Sequence, residues 1–368
     1  MSILIFILIL VALILVHEFG HFIVAKLSKI KVEEFGIFFP PRMFSIKKGE
    51  TLYSFNSLPF GGFVRIFGEN HNEHASDPRS FASKPRYVQA AVVVAGIVMN
   101  LVFAWATLSA AYMAGLPTST HHEGLGKVRD AEVMIVGVVP DSPAALSGLM
   151  PNDLIKVIET GTTKLAVETE TLSISEQAQA VQHFIAQHQD ESLVLTVLRG
   201  AEEKAFLAKA EEGIVEGRKA LGIQLDDVGI LQLPPHLALV EGARLTYSMT
   251  VATAQGLGAF FLQIARGIAD FGSVAGPIGI VNLGAGAVGQ GFVAAAVLTA
   301  LISINLAIIN LLPIPGLDGG RLVIIGIEGI LRRPVSRKLT VAATVLGFAL
   351  LITLMLVVSY HDIVRLVG

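Results

Sequence analysis

Four long apolar segments separate the polar parts of this chain. They cover residues 2–26, 88–114, 292–312 and 340–359. Each holds about the 20 apolar residues that a helix needs to cross the hydrocarbon core of a bilayer. The pattern therefore predicts a polytopic α-helical membrane protein with four transmembrane helices.

The region between the second and third apolar segments has a different pattern. β-branched runs predict strands at 133–139, 154–159 and 193–198, and the apolar spacing over 175–188 predicts a helix. Together these elements indicate a soluble α/β domain, inserted between two membrane parts and spanning residues 116–232.

A fifth apolar segment, 245–265, carries no charge but contains six Thr, Ser and Gln residues. We predict that it forms an amphipathic helix at the membrane interface, within a linker that covers residues 233–291. A fifth span here would also place Asp318 on the opposite side of the membrane from His17.

Composition agrees with a membrane protein. Only 15% of residues are charged, against about 25% in a typical soluble domain, and the net charge of −3 gives no reason to expect a nucleic-acid partner. The chain has no cysteine, which excludes thiolate zinc ligands, a cysteine nucleophile and disulfides. The first apolar segment lacks the charged start and cleavage site of a signal peptide, so we predict a retained helix.

The basic residues predict the orientation of the chain in the membrane. Residues 26–86 contain ten Lys and Arg against six acids, and five more basic residues lie between the third and fourth segments. The positive-inside rule places both connections in the cytoplasm and the acid-rich insert outside. Both ends of the chain should also lie outside, and the expected location is the inner membrane of a bacterium.

The strongest chemical signal is the sequence His17-Glu18-Phe19-Gly20-His21 within the first predicted span. The two histidines are four residues apart and therefore leave the same helical face, as in the HExxH zinc-binding motif. Glu18 is placed to act as the general base on a zinc-bound water. The sequence thus predicts a zinc-dependent hydrolase whose site lies inside the membrane.

A catalytic zinc site needs a third protein ligand. Asp318 is the favoured candidate, because an ionised aspartate directly after an apolar span is costly without a cation partner. Two prolines precede it, and Gly319 and Gly320 follow it and allow close backbone approach. The remaining histidines are candidates by chemistry alone: His71, His74, His121, His122, His183, His188, His236 and His361.

Three separated motifs resemble one known family. HEFGH near the start, NLLPIPGLDGG at 310–320 and a PDZ-like stretch at 136–158 resemble, in this order, the site-2 protease family of intramembrane zinc metalloproteases, and within it the RseP group. The resemblance implies that His17, His21 and Asp318 bind Zn²⁺ and that Glu18 is the base. It also implies that Asn310 holds the substrate backbone.

The same resemblance extends to two further stretches. Residues 52–68 are similar to a membrane-re-entrant β-hairpin, which implies substrate binding by Gly61, Gly62, Phe63, Val64 and Arg65. Residues 276–280 match a motif before the third span, for which the sequence suggests only a rigid turn. Many members of the RseP group have two PDZ domains, whereas the insert here has room for one.

The resemblance implies four regions. A membrane domain at 1–115 is followed by the outer PDZ domain at 116–232, the linker at 233–291 and a second membrane domain at 292–368. The expected partners are the lipid bilayer, transmembrane substrate proteins of the anti-sigma-factor or remnant-signal-peptide type, and a peptide or C-terminus in the PDZ groove.

Two other functions remain open. One is a non-catalytic membrane scaffold that binds through its PDZ domain, although Glu18 would then have no role. The other is a zinc transporter, but the spans at 88–114 and 340–359 lack a path of acidic or histidine residues.

Overall fold

The computed structural model describes residues 1–69, 76–167, 177–200, 202–215, 218–268, 276–333 and 335–367. Its α-helices in chain order are α1 (Ser2–Leu27), α2 (Arg86–Ala114), α3 (Pro143–Ser147), α4 (Gln177–Gln187), α5 (Pro235–Arg266), α6 (Pro277–Gly289), α7 (Phe292–Leu311), α8 (Asp318–Leu331) and α9 (Arg337–Val367).

The described residues also contain eleven β-strands. In chain order they are β1 (Val32–Lys48), β2 (Thr51–Ile66), β3 (Leu116–Ser119), β4 (Arg129–Val138), β5 (Leu154–Glu159), β6 (Lys164–Ala166), β7 (Ser192–Arg199), β8 (Glu202–Lys209), β9 (Glu211–Val215), β10 (Arg218–Ala220) and β11 (Ile223–Leu231).

Four of the described helices are long and apolar enough to span a membrane. They are Ser2–Leu27, Arg86–Ala114, Phe292–Leu311 and Lys338–Val364, which correspond to the four predicted segments. The helix α5 is not among these four, and its place at the membrane interface stays a prediction. The chain is an integral membrane protein with a β-rich insert.

The chain divides into two compact units. One, the membrane unit, comprises Met1–Ala111 and Leu239–Gly368, and the other, the inserted unit, comprises Tyr112–Ala238. The inserted unit contains a sheet with strand order β3-β11-β4-β5-β7-β8, in which β6 also pairs with β5. Strands β9 and β10 form a separate pair.

The core of the inserted unit is apolar. The helix α4 turns its periodic residues inward, because Ala178, Val181, Phe184 and Ile185 are all buried among the sheet residues. The strands contribute fully buried side chains such as Ile158. The strands predicted at 133–139, 154–159 and 193–198 therefore correspond to β4, β5 and β7. The helix predicted at 175–188 corresponds to α4, and residues 175 and 176 lie outside the described residues.

The strands β1 and β2 of the membrane unit form a small sheet that differs from the prediction. Residues 52–68 do not make a hairpin of their own. Instead, residues 62–66 pair with 32–37, and residues 52–55 pair with both 34–37 and 44–47. Among the described residues, 62–66 have no second strand beside them, so this segment is an edge of the sheet.

The residues predicted to form a rigid turn at 276–280 begin the helix α6. The carboxylate of Asp362, buried on α9, accepts hydrogen bonds from the backbone N–H of Gly276 at 3.1 Å and of Gly279 at 2.9 Å. A carboxylate in this position satisfies free N–H groups at the start of a helix and complements its dipole. A side chain at Gly276 would collide with this carboxylate, which explains the glycine.

Candidate active site

Three side chains from two distant parts of the chain meet in the membrane unit. His17 and His21 lie one turn apart on α1, and Asp318 is the first residue of α8. The Nε2 atoms of the two histidines are 3.2 Å apart. Asp318 Oδ2 lies 3.1 Å from His17 Nε2 and 3.3 Å from His21 Nε2.

This spacing fits a zinc ion. Tetrahedral zinc lies about 2.0–2.1 Å from each ligand atom, which places those atoms about 3.3 Å from one another. The chemistry also fits, since two imidazoles and one carboxylate leave a fourth position for water or substrate. Within the described ranges, His17, His21 and Asp318 are the only group of three or more His, Cys, Asp or Glu residues that converge in this way.

The other histidines that the structure describes do not join this group. His71 and His74 lie outside the described residues, and none of the remaining candidates belongs to the convergent set. The sequence left several candidates open for the third ligand. Among the described residues, Asp318 lies beside His17 and His21, and no further histidine does.

The helix α2 lies directly behind the two imidazole rings. His21 Nδ1 is 2.8 Å from the backbone oxygen of Val92, and His17 Nδ1 is 3.2 Å from the side-chain nitrogen of Asn100. Between them, Gly96 leaves space that both rings occupy, because a Cβ atom there would lie 2.8 Å from His17 Cε1 and collide with His21. Sequence analysis missed all three α2 positions.

The turn between α7 and α8 brings Asp318 to the histidines. A side chain at Gly319 would collide with the carbonyl oxygens of Leu311 and Leu312, and one at Gly320 with the carbonyl oxygen of Ile314. Both glycines therefore permit the close backbone approach that the sequence predicts. They allow the first turn of α8 to pack closely against the end of α7 and the turn that follows it.

One side of the edge segment 62–66 faces the helix α1. A Cβ atom at Gly62 would lie 3.5 Å from Leu15 and 3.6 Å from Cγ of Glu18, both on α1. Val64 and Ile66, two and four residues further, line a cavity of about 240 Å³ together with His17, Glu18 and His21. The period of two in a strand explains why these alternate residues share one side.

The other predicted substrate residues of the sheet point elsewhere. The Phe63 ring stacks on that of Phe39, with centroids 6.2 Å apart, and Arg65 lies 3.3 Å from the buried carboxylate of Glu34. Gly61 has a φ of 95°, a left-handed conformation that favours glycine. The side chains of Phe63 and Arg65 thus contact the sheet, while their backbone belongs to the edge segment.

Asn310 lies in the last turn of α7 and lines the same cavity as the histidines and Glu18. A second cavity of about 390 Å³ shares the walls formed by Glu69, Asp318 and Arg321. Arg321 donates to the Glu69 carboxylate at 2.6 Å and to its backbone oxygen at 2.8 Å. Polar groups therefore continue from the histidines into the second cavity.

Comparisons with known proteins agree with this geometry. The model of peptidase family M50 matches residues 5–354. A protein of Clostridium perfringens named a putative zinc metalloprotease is 33% identical over 360 residues, which is 96% of each chain. The zinc metalloprotease RasP of Oceanobacillus iheyensis is 28% identical over 444 residues, covering 98% of both chains.

These matches extend over the membrane helices and the inserted unit alike, and the relatives carry the name of the metal that the three converging side chains fit. The chain therefore belongs to peptidase family M50, the site-2 protease family of membrane zinc metalloproteases.

Proposed function

We propose that this zinc metalloprotease hydrolyses peptide bonds within the transmembrane segments of single-span membrane proteins. The expected substrates are anti-sigma factors or remnant signal peptides, cut during regulated intramembrane proteolysis. The single observation that carries the proposal is that Asp318 meets His17 and His21, two histidines on a helix that is apolar enough to span the membrane. A soluble substrate could not easily reach that site.

In this proposal His17, His21 and Asp318 hold Zn²⁺ and Glu18 is the catalytic base. When bound, zinc activates a water molecule and polarises the scissile carbonyl. Glu18 lines the same cavity as the three ligands, so its carboxylate can take a proton from the attacking water. It can then deliver that proton to the leaving amine.

The substrate must unwind before it is cut, because a transmembrane helix uses its carbonyl groups in its own hydrogen bonds. The edge segment 62–66 offers backbone groups that can replace those bonds by strand addition. It lies beside Glu18, which supports a role for Gly61, Gly62, Phe63, Val64 and Arg65 in binding the unwound peptide. Asn310 is proposed to hold the opposite side of the peptide.

The strands β1 and β2 are proposed to enter the membrane from the cytoplasmic side. Non-helical backbone is tolerated at membrane depth only where it is buried or lines a cavity. The cavity beside Val64 and Ile66 supports this placement. The second cavity, with its polar groups Glu69 and Arg321, is the proposed route by which water reaches the zinc from the cytoplasm.

The inserted unit is proposed to be a single PDZ domain on the outer face of a bacterial cytoplasmic membrane. Its helix α4 packs beside strands β4 and β11, which supports a peptide groove between a helix and a strand. A peptide, or a C-terminus exposed by an earlier cut, is the expected occupant.

The proposal is tested by reconstituting the full chain in lipid with a short single-span substrate whose helix is weakened near its centre. Wild type and Glu18→Gln are compared, and the zinc content of both samples is measured. We expect cleavage by the wild type alone, with about one zinc bound in each sample. Zinc in both samples with no cleavage of any single-span substrate would instead favour a non-catalytic membrane scaffold that binds through its PDZ domain.

A further inference from the structure

We propose that Asn100 is a positioning residue for the zinc site: it holds the His17 ring so that Nε2, and not Nδ1, faces the metal. The inference rests on the proposed ligand role of His17. It goes beyond that role, because it assigns a function to a residue of α2 that touches neither the metal nor the substrate.

Three residues on one face of α2 are placed to meet the two histidines. Val92, Gly96 and Asn100 follow one another at intervals of four residues, so they share one face of the helix. His17 and His21 have the same spacing on α1. Each histidine thus meets one polar group of α2, and Gly96 provides the space between them.

Metal binding by His17 and His21 also depends on which ring nitrogen carries the proton. A neutral imidazole has one N–H donor and one acceptor nitrogen, and only the acceptor can bind a metal. The Nε2 atoms of both rings converge with Asp318 Oδ2, and if both Nε2 atoms bind zinc, each Nδ1 must carry the proton. For His21, the Val92 carbonyl accepts that proton at 2.8 Å.

For His17 the matching acceptor is the amide oxygen of Asn100. The amide nitrogen now lies 3.2 Å from His17 Nδ1, and the amide oxygen is buried with no hydrogen-bond partner among the described residues. A half-turn of the amide exchanges these two atoms without changing its shape. The oxygen then accepts from Nδ1–H, which leaves the Nε2 lone pair free for zinc.

The burial of Asn100 also points to a role at the site. Asn100 is 0% exposed within an apolar span, where an amide is expensive to bury without a purpose. Its backbone oxygen accepts a hydrogen bond from Ser303 on α7 at 2.8 Å, so the side-chain amide is the group of Asn100 that remains for His17. Partners of metal-bound histidines typically contribute 10–100-fold to metal affinity by orienting the ring and fixing its tautomer.

A simpler explanation is that the Asn100 side chain only fills the space between packed helices. The two explanations differ in what should rescue the site. A ring-positioning role needs an acceptor at residue 100, which aspartate supplies. A role in packing needs the right volume, which leucine supplies.

The test measures the zinc affinity of the purified full chain by competition with a chromophoric chelator. The variants are Asn100→Leu, Asn100→Asp and, as a control, Ser303→Ala, which removes only the contact to the backbone of Asn100. The unfolding temperature of each metal-free sample is recorded alongside, and Asn100→Ala replaces the leucine variant if that variant does not fold.

We expect Asn100→Leu to weaken zinc binding by about 10–100-fold, while Asn100→Asp and Ser303→Ala stay within about threefold of the wild type. Equal zinc affinity in wild type and Asn100→Leu would overturn the inference, and so would a loss in Asn100→Asp as large as in Asn100→Leu. A wild type that binds no zinc would overturn the proposed function itself, which separates the two failures.

Discussion

The two units of the chain differ in where their large apolar side chains lie. The inserted unit, Tyr112–Ala238, has a core of apolar side chains, as a soluble domain requires. The membrane unit exposes many large apolar side chains on its spanning helices and buries polar ones, among them His17, Asn100, Ser303 and Asp362. Lipid is as apolar as a protein core, so burying leucine there provides little stability.

This contrast indicates which interactions determine the structure of each unit. In the inserted unit, the packing of apolar volume should dominate stability. In the membrane unit, a few polar contacts and close glycine approaches should decide whether the site has the correct geometry.

The largest effect is expected from one added methyl group at Gly96. In Gly96→Ala the new Cβ collides with the His21 ring and approaches His17, so the two Nε2 atoms should no longer converge. We expect zinc affinity to fall by at least about 100-fold, with loss of peptide cleavage. Gly258→Ala on α5 is the matched control, because its Cβ would meet nothing within 4 Å. Unchanged zinc affinity in Gly96→Ala would contradict this account of the site.

The next effect separates substrate binding from metal binding. Val64→Pro removes a backbone N–H from the edge segment 62–66 and should abolish strand addition, with cleavage reduced by about 100-fold or more. Zinc content should not change, because Val64 is not among the converging ligands. Val64→Thr keeps the N–H and the β-branched shape, so it should cleave nearly normally. Normal turnover by the proline variant would refute strand addition.

A third prediction concerns the apolar core of the inserted unit. Ile158 is 0% exposed, so Ile158→Ala should destabilise that unit by about 2–5 kcal/mol and leave zinc affinity unchanged. Leu146→Ala, at a side chain that is 78% exposed, should change stability by less than about 0.5 kcal/mol. Thermal unfolding of the full chain, followed with and without zinc, measures both effects. Loss of zinc in Ile158→Ala would show that the units are not independent.

The smallest effect tests a buried polar group in the same unit. Burial raises the pKa of Asp227, the backbone N–H of Ala178 acts in the opposite direction, and the nearby Asp226 raises it further. Because the folded pKa lies above the unfolded one, this group's contribution to stability is greatest below about pH 4 and is lost as pH rises through the folded pKa.

Asp227→Asn removes that charge and keeps an acceptor for Ala178, which bonds to Asp227 Oδ1 at 2.9 Å. Relative to the wild type, the free energy of unfolding of the variant should therefore increase between about pH 4 and pH 7, by about 1 kcal/mol or less. The quantity to measure is the difference in unfolding temperature between the two proteins across this range. A difference that does not change with pH would show that the carboxylate is not destabilised by burial.

The sequence was informative wherever a signal was local. The four spans follow from runs of apolar residues, and His17 and His21 follow from a spacing of four on one helix. Asp318 could be proposed because a carboxylate beside an apolar span needs a partner. Its meeting with the histidines could not be derived without the resemblance, since about 300 residues separate them.

The missed features depend on contacts between distant segments. Gly96 looks like any glycine in an apolar helix until the imidazole rings opposite it are known. Asn100 did carry a signal, because an amide within a span is costly and usually functional. The pairing of residues 51–66 with 32–48 was missed because the tandem prolines Pro40 and Pro41 are unusual within a strand.

The matching intervals of four on α1 and α2 have a consequence for how the sequence can change. Inserting or deleting one residue inside a helix rotates everything beyond it by about 100° and shifts it by about 1.5 Å. A single insertion between Val92 and Asn100 would therefore separate one histidine from its partner on α2. Changes of length should accordingly be rejected within these two helical stretches, even where every exchanged side chain is equally apolar, and tolerated in the loops outside them.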